Sequence, residues 1–354
     1  MIDKSYAEYA VEKTLELLAI DSPTGFTSQA AAWVKSAFSS LGFEADFTGK
    51  GGVLIRLGGE AAENGLLLQA HTDTLGAIVA EIKETGRLRL SPLGGMRAEN
   101  GEAENVRLHT RGGRVLEGTF QLCNASVHVN GSYGDEKRSF DTGEVVLDED
   151  VSTPEQVRSL GVEVGDIVCF DPRSRLTASG YLKSRFLDDK LSVGILLGFA
   201  KYLKDTGAAL PRPLYAHVTV YEEVGHGASA TLPGGVTEVL SVDMGCVGEG
   251  LSCTERRVSI CAKDSGGPYS YEMVGALIEA AKRAGADYAV DVYPHYGSDA
   301  EATLKAGADV RHGLIGPGVY ASHGYERSHL EGVRNTLRLL AAYLGLPCEG
   351  ETEV

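Results

Sequence analysis

Three apolar runs in this chain end on an acid or an imidazole instead of on a turn residue. Residues 66–70 lead into His71, 215–221 into Glu222 and Glu223, and 239–242 into Asp243. Short runs of this kind read as strands, so each delivers its polar group at a strand's C-terminal end. In an open α/β sheet that edge is where ligands bind, which lets residues distant in sequence converge. Two more clusters extend the pattern: Asp188-Asp189, just before a helical segment, and His323, shortly before the last one.

The rest of the chain supplies a frame for such a sheet. Residues 1–20 form an amphipathic helix stopped by the turn at 21–25, and a second helix runs over 28–41. Strands are expected at 43–47 and 53–57. From 74 to 179 the texture changes to short β-prone pieces (78–82, 87–90, 106–110, 115–122, 127–129 and 167–170) between Gly, Asn and Asp turns. Thr153-Pro154 there has the form of a capped helix start, and Gly161 would end that helix. After Asp188, helices at 190–204, 270–284 and 330–343 alternate with strands at 214–221, 239–242, 258–261 and 289–292. The pattern predicts an α/β fold, a mainly parallel sheet flanked by helices, carried by residues 1–73 and 180–354 and interrupted by an all-β insert over 74–179. A length of 354 residues suits two such units.

A pair of divalent ions needs imidazoles and carboxylates as end ligands and one carboxylate that bridges. His71, Asp188, Glu223, Asp243 and His323 make up such a set, and Glu222 is then left over as a general base for an activated water. Neighbouring side chains on a strand point apart, so Glu222 and Glu223 can differ in role only if the chain bends there; Gly225 and Gly227 make room for a bend. Asp73 is placed to orient the His71 ring. Zinc suits mixed imidazole and carboxylate ligands, and cobalt or manganese fits nearly as well. His329 competes with His323 but opens the last helix, where capping is the better role; His217 reads as a core residue and the segment around His295 as a loop. Arg256-Arg257 and the turn at 264–269 serve equally as a carboxylate-binding element or as a solvated hairpin.

Composition narrows the partners. A net charge of −16 disfavours nucleic acid and anionic membranes. The longest apolar stretch, near 193–200, is too short to span a bilayer, and residues 1–20 do not read as a signal peptide. Six cysteines without a Cys-x-x-Cys pair read as reduced thiols, so a cytoplasmic location is expected.

These motifs together resemble the M42 family of metallo-aminopeptidases. The likeness is carried by Ala70-His71-Thr72-Asp73, by Phe186-Leu187-Asp188-Asp189-Lys190, by Tyr221-Glu222-Glu223-Val224-Gly225, by Ser241-Val242-Asp243-Met244-Gly245 and by Ser322-His323. The resemblance implies His71, Glu223, Asp243 and His323 as metal ligands, Asp188 as the bridge, Glu222 as general base and Asp73 as a supporting acid. It further implies two metal ions per chain, small peptides as substrates, and an insert that makes dimers, the building block of a larger shell such as a dodecamer. Thr74, Lys190, His226 and the three-residue spacing from His323 to Glu326 depart from the family's usual pattern. Residues 221–229 resemble a branch associated with synthesis of an acetylated glutaminyl-glutamine osmolyte. Two other readings compete: a metal-free glycoside hydrolase with paired carboxylates, and a non-catalytic relative that kept only its self-association surface.

Overall fold

The computed structural model describes residues 2–230 and 232–348. Helix α1 (Lys4–Leu18) starts on Asp3, whose carboxylate accepts the Ser5 amide. Helix α2 (Ser28–Ser40) is followed by the hairpin of β1 (Glu44–Phe47) and β2 (Val53–Gly58), then by β3 (Gly65–His71), buried at every residue.

The chain next leaves this sheet. Strands β4 (Gly76–Ile82), β5 (Leu88–Leu93), β6 (Glu104–His109), β7 (Val115–Leu122), β8 (Gly143–Leu147) and β9 (Ile167–Phe170) close into an antiparallel barrel in the order β4-β5-β8-β7-β6-β9. Along β7 the alternate residues Leu116, Gly118, Phe120 and Leu122 are buried, the period-two pattern that fills a small barrel. Short helices α3 (Ala98–Gly101) and α4 (Pro154–Ser159) lie between its strands, the latter capped by Thr153 as expected. Two expectations fail here. Residues 127–129 form turns, not a strand, with Val127 60% and Val129 75% exposed, because no neighbouring strand pairs with them. Strand β8 was not foreseen; its burial follows from pairing with β5 and β7, which local sequence does not reveal.

The remainder rejoins the large sheet at β10 (Arg175–Leu176), a few residues before the boundary read from sequence, and β10 pairs with β11 (Tyr181–Ser184). Then come α5 (Leu187–Thr206), β12 (Leu214–Thr219), β13 (Val236–Val242), β14 (Gly245–Val247), β15 (Val258–Lys263), α6 (Tyr271–Arg283), β16 (Tyr288–Val292), α7 (Asp299–Lys305), β17 (Arg311–Tyr320), β18 (Glu326–His329) and α8 (Leu330–Tyr343). Strands β12, β3, β13 and β17 run parallel at the centre of a twelve-stranded sheet, and antiparallel strands extend it on both sides. Strand β17 and helix α7 have no counterpart in the sequence reading. The buried Lys190 donates to the carbonyls of Leu17 (3.1 Å) and Ile20 (2.6 Å), supplying partners to the end of α1. Among the described residues no helix is long and apolar enough to cross a membrane.

Candidate metal centre

The parallel strands place their C-terminal ends side by side. His71 closes β3, Glu222 and Glu223 follow β12, and Asp243 follows β13. The bend required after β12 is present: Tyr221 adopts φ +77, residues Glu222–Val224 form one 3-10 turn, and Gly225 ends it at φ +84. Neighbouring carboxylates that a strand would splay apart thus reach one site. His323 also lies in the left-handed region, at φ +62. Such backbones are uncommon for residues with a Cβ and concentrate at functional sites.

Five side chains converge in two groups. Ligand atoms of His71, Asp188 and Asp243 lie within 4.8 Å of one another, as do those of Asp188, Glu223 and His323. Asp188 belongs to both: its Oδ1 is 3.2 Å from His71 Nε2 and its Oδ2 is 3.5 Å from His323 Nε2. Glu223 Oε2 stands 3.7 Å from His323 Nε2. Glu222 is in neither group, yet its Oε2 is 3.7 Å from His71 Nε2.

The donor set fits divalent cations. Four buried carboxylates, those of Asp188, Asp189, Glu223 and Asp243, crowd two imidazoles, and Glu223 Oε1 and Asp189 Oδ1 have no hydrogen-bond partner. Leaving buried carboxylate oxygens unpaired is costly unless a cation completes the site. The protonation pattern points the same way. Burial, with Asp188 nearby, pushes Asp243 up to about 7. Burial also raises Glu222 and Glu223 well above the usual carboxylate range. Hydrogen bonding to Asp188 lifts His323 to about 9. Protons hold together what bound cations would otherwise neutralise.

The supporting contacts differ in part from expectation. His71 Nδ1 donates to the backbone carbonyl of Asp73 at 2.9 Å, leaving Nε2 free for a cation. The Asp73 carboxylate is 3.6 Å from that nitrogen and accepts instead from the Glu222 amide (3.1 Å), the Glu223 amide (3.3 Å) and Thr24 Oγ1 (2.7 Å). Asp73 therefore anchors the turn that carries Glu222 and Glu223. Asp189 Oδ2 accepts the His71 amide at 3.3 Å. Glu326, noticed in the sequence only as a spacing irregularity, is a buried clamp: it accepts the Asp188 amide at 3.1 Å and the His323 amide at 2.9 Å. No local signal reveals that role, since one partner comes from a remote segment. Gly95 of the insert is needed as glycine, because a Cβ there would lie 2.6 Å from His323 Nδ1.

The centre opens into a cavity of about 710 Å³. Its walls include Arg97 and Asn100 from the insert and residues 295–302 with Lys305, so the segment around His295 is a pocket wall and not merely a loop. Arg256 and Arg257 are not part of it; Arg257 pairs with Asp287 at 2.9 Å. His329 caps α8 by accepting the Glu331 amide at 3.0 Å, and His217 is buried and held down at about 4 by desolvation. A third acidic and imidazole group, Asp21, His109 and Cys169, is occupied by Arg107, whose guanidinium grips both Asp21 oxygens at 2.8 and 2.7 Å.

Comparison with known proteins places the chain in a family. The model of the M42 glutamyl aminopeptidase family matches residues 51–339. YhfE of Bacillus subtilis (strain 168), for which an aminopeptidase activity is predicted, is 40% identical over 96% of this chain and 99% of its own length. The glutamyl aminopeptidase of Lactococcus lactis subsp. cremoris (strain MG1363) is 25% identical over 60% of each chain. Among solved structures, the Pyrococcus horikoshii TET1 peptidase, described as able to assemble into a tetrahedron or a large octahedral shell, superposes with a TM-score of 0.82 at 21% identity, covering 95% of this chain and 99% of that one. This chain belongs to the M42 glutamyl aminopeptidase family and is a metal-dependent aminopeptidase.

Proposed function

We propose that the chain is a two-metal exopeptidase that removes N-terminal residues from small peptides, with His71 and Asp243 holding one ion, Glu223 and His323 the other, and Asp188 shared by both. The observation that carries this reading is the membership of Asp188 in both ligand groups. When bound, a pair of divalent ions polarises the scissile carbonyl and makes water acidic enough to attack near neutral pH. Zinc suits the ligands, with cobalt or manganese as alternatives. Glu222 acts as the general base: it takes the proton of the attacking water and passes it to the departing amine. Its anchoring through Asp73 keeps that carboxylate fixed beside the ligands. A paired-carboxylate glycosidase would have no use for two imidazoles meeting at one acid.

The insert over 74–179 is assigned to self-association, by dimers that can build a larger shell. The Pyrococcus horikoshii relative's assembly into a tetrahedron or a large octahedral shell supports self-association. A reducing, cytoplasmic setting fits six cysteines that form no disulfide. The test is metal analysis of the purified chain alongside hydrolysis of a dipeptide panel, with and without chelator. Two ions per chain and chelator-sensitive release of N-terminal residues are expected; a single ion at full activity, or activity untouched by chelator, rejects the reading.

A further inference from the structure

Helix α7 and the residues before it form a wall of the cavity that the ligand groups do not use. In that wall Ser298, Asp299, Glu301 and Ala302 are buried. Asp299 is committed to the structure, accepting from Thr219 and from the Ala228 amide. Glu301 is not. Its side chain is only 10% exposed, and its two basic neighbours are loose: Lys305 Nζ at 3.4 Å from Oε2 and His312 Nε2 at 3.7 Å from Oε1.

Neither neighbour neutralises it firmly. The Lys305 side chain is 70% exposed, so this i,i+4 pair is of the solvated kind that contributes little and exchanges readily. Burial outweighs the pull of Glu301 and Asp264 and lowers His312 below the ordinary imidazole value, so it is neutral near pH 7. Space has nonetheless been kept for the carboxylate: a Cβ on Gly266 would sit 2.0 Å from Glu301 Oε2. A nearly buried, weakly paired carboxylate facing a cavity is costly on its own and is satisfied when a cation arrives.

Given the aminopeptidase reading, on which this step rests, just one substrate residue lies on the N-terminal side of the scissile bond. We propose that Glu301 is a specificity-determining residue: it ion-pairs with the side chain of an N-terminal lysine or arginine, displacing Lys305, and so selects peptides that begin with a basic residue. The wall beside it includes the polar Ser298 and Asp299.

The test uses the metal-loaded full chain and dipeptides with Lys, Arg, Leu or Glu before a common alanine. Wild type should favour Lys-Ala and Arg-Ala. Glu301→Gln, nearly isosteric, should lower kcat/KM for these two by about ten- to hundredfold, mainly through KM, the scale of one hydrogen bond to a charged group. Leu-Ala should stay within about twofold, which also shows that the variant folds. Glu301→Lys should move the preference toward Glu-Ala. As a readout independent of turnover, free L-lysine should bind wild type more tightly than L-norleucine by calorimetry, and Glu301→Gln should erase the difference. Hydrolysis without a basic preference, or an equal loss on all four peptides, overturns this proposal and leaves the aminopeptidase reading standing. No hydrolysis of any dipeptide overturns both.

Discussion

At the scale of single residues, Glu222 and Glu326 are assigned opposite roles with the same functional group. Glu222 lies outside both ligand groups, so Glu222→Gln should leave metal binding near wild type while lowering turnover by about 10²–10⁴-fold, the usual scale for a lost general base. Near-normal turnover in a metal-replete variant would remove Glu222 from that role. Glu326 is in neither ligand group, yet it holds the backbones of two proposed ligands, Asp188 and His323. Glu326→Ala should weaken metal affinity by about 10–100-fold, the scale of losing a group that orients ligands, and metal titration reads this directly. Unchanged affinity would make the clamp a bystander. The difference in legibility between the two follows from range. Glu222 sits beside Glu223 at the end of an apolar run and is a candidate from local sequence, whereas Glu326 contacts Asp188 from a remote segment of chain. Asp73 falls between: its importance was visible, but its carboxylate supports the turn of Glu222 and Glu223, not chiefly the ring of His71.

At the scale of elements, the junction between the turn after α1 and barrel strand β6 is braced by Asp21, Arg107 and His109. Burial alone would raise the Asp21 carboxyl, but hydrogen bonds from Arg107 and His109 outweigh it and hold the group well below the usual range. A depressed folded-state value means the stabilisation is complete above the unfolded carboxylate pKa near 3.8 and disappears as pH falls through the folded value. Asp21→Asn should therefore cost about 1.5–3 kcal/mol at pH 7 in denaturant unfolding. The gap between variant and wild type should close on acidification below about pH 4; a gap independent of pH would show that the charge is not what matters. Elements with strong periodic cores were readable, and α8 occupies the range read from its apolar spacing. Where pairing decides, reading failed: β8 is a strand because β5 and β7 flank it, while 127–129, equally rich in valine, finds no partner.

At the scale of the whole molecule, the barrel is both a candidate association module and a contributor to the pocket, through Gly95, Arg97 and Asn100. Replacing residues 80–170 by a short linker should give a smaller particle in sedimentation, with the ligand residues all retained. Activity should fall as well, since the insert's wall of the cavity goes with it. A truncated chain that kept the parent's assembly size would place self-association elsewhere. The α/β class with an inserted β barrel could be read from the change in turn density past 74, because barrels and parallel sheets space their turns differently. The large sheet's antiparallel margins could not, since β17 pairs with β15 and β18 with β11 through contacts of long range.

The ligand order along the chain carries a further consequence. His71 comes first and His323 last, with the shared Asp188 between them. A ribosome releases the chain in that order, so the second ligand group stays incomplete while everything up to His323 has already emerged. On the proposed ligand assignment, the centre can be completed only after both His323 and the clamping Glu326 have been added to the chain.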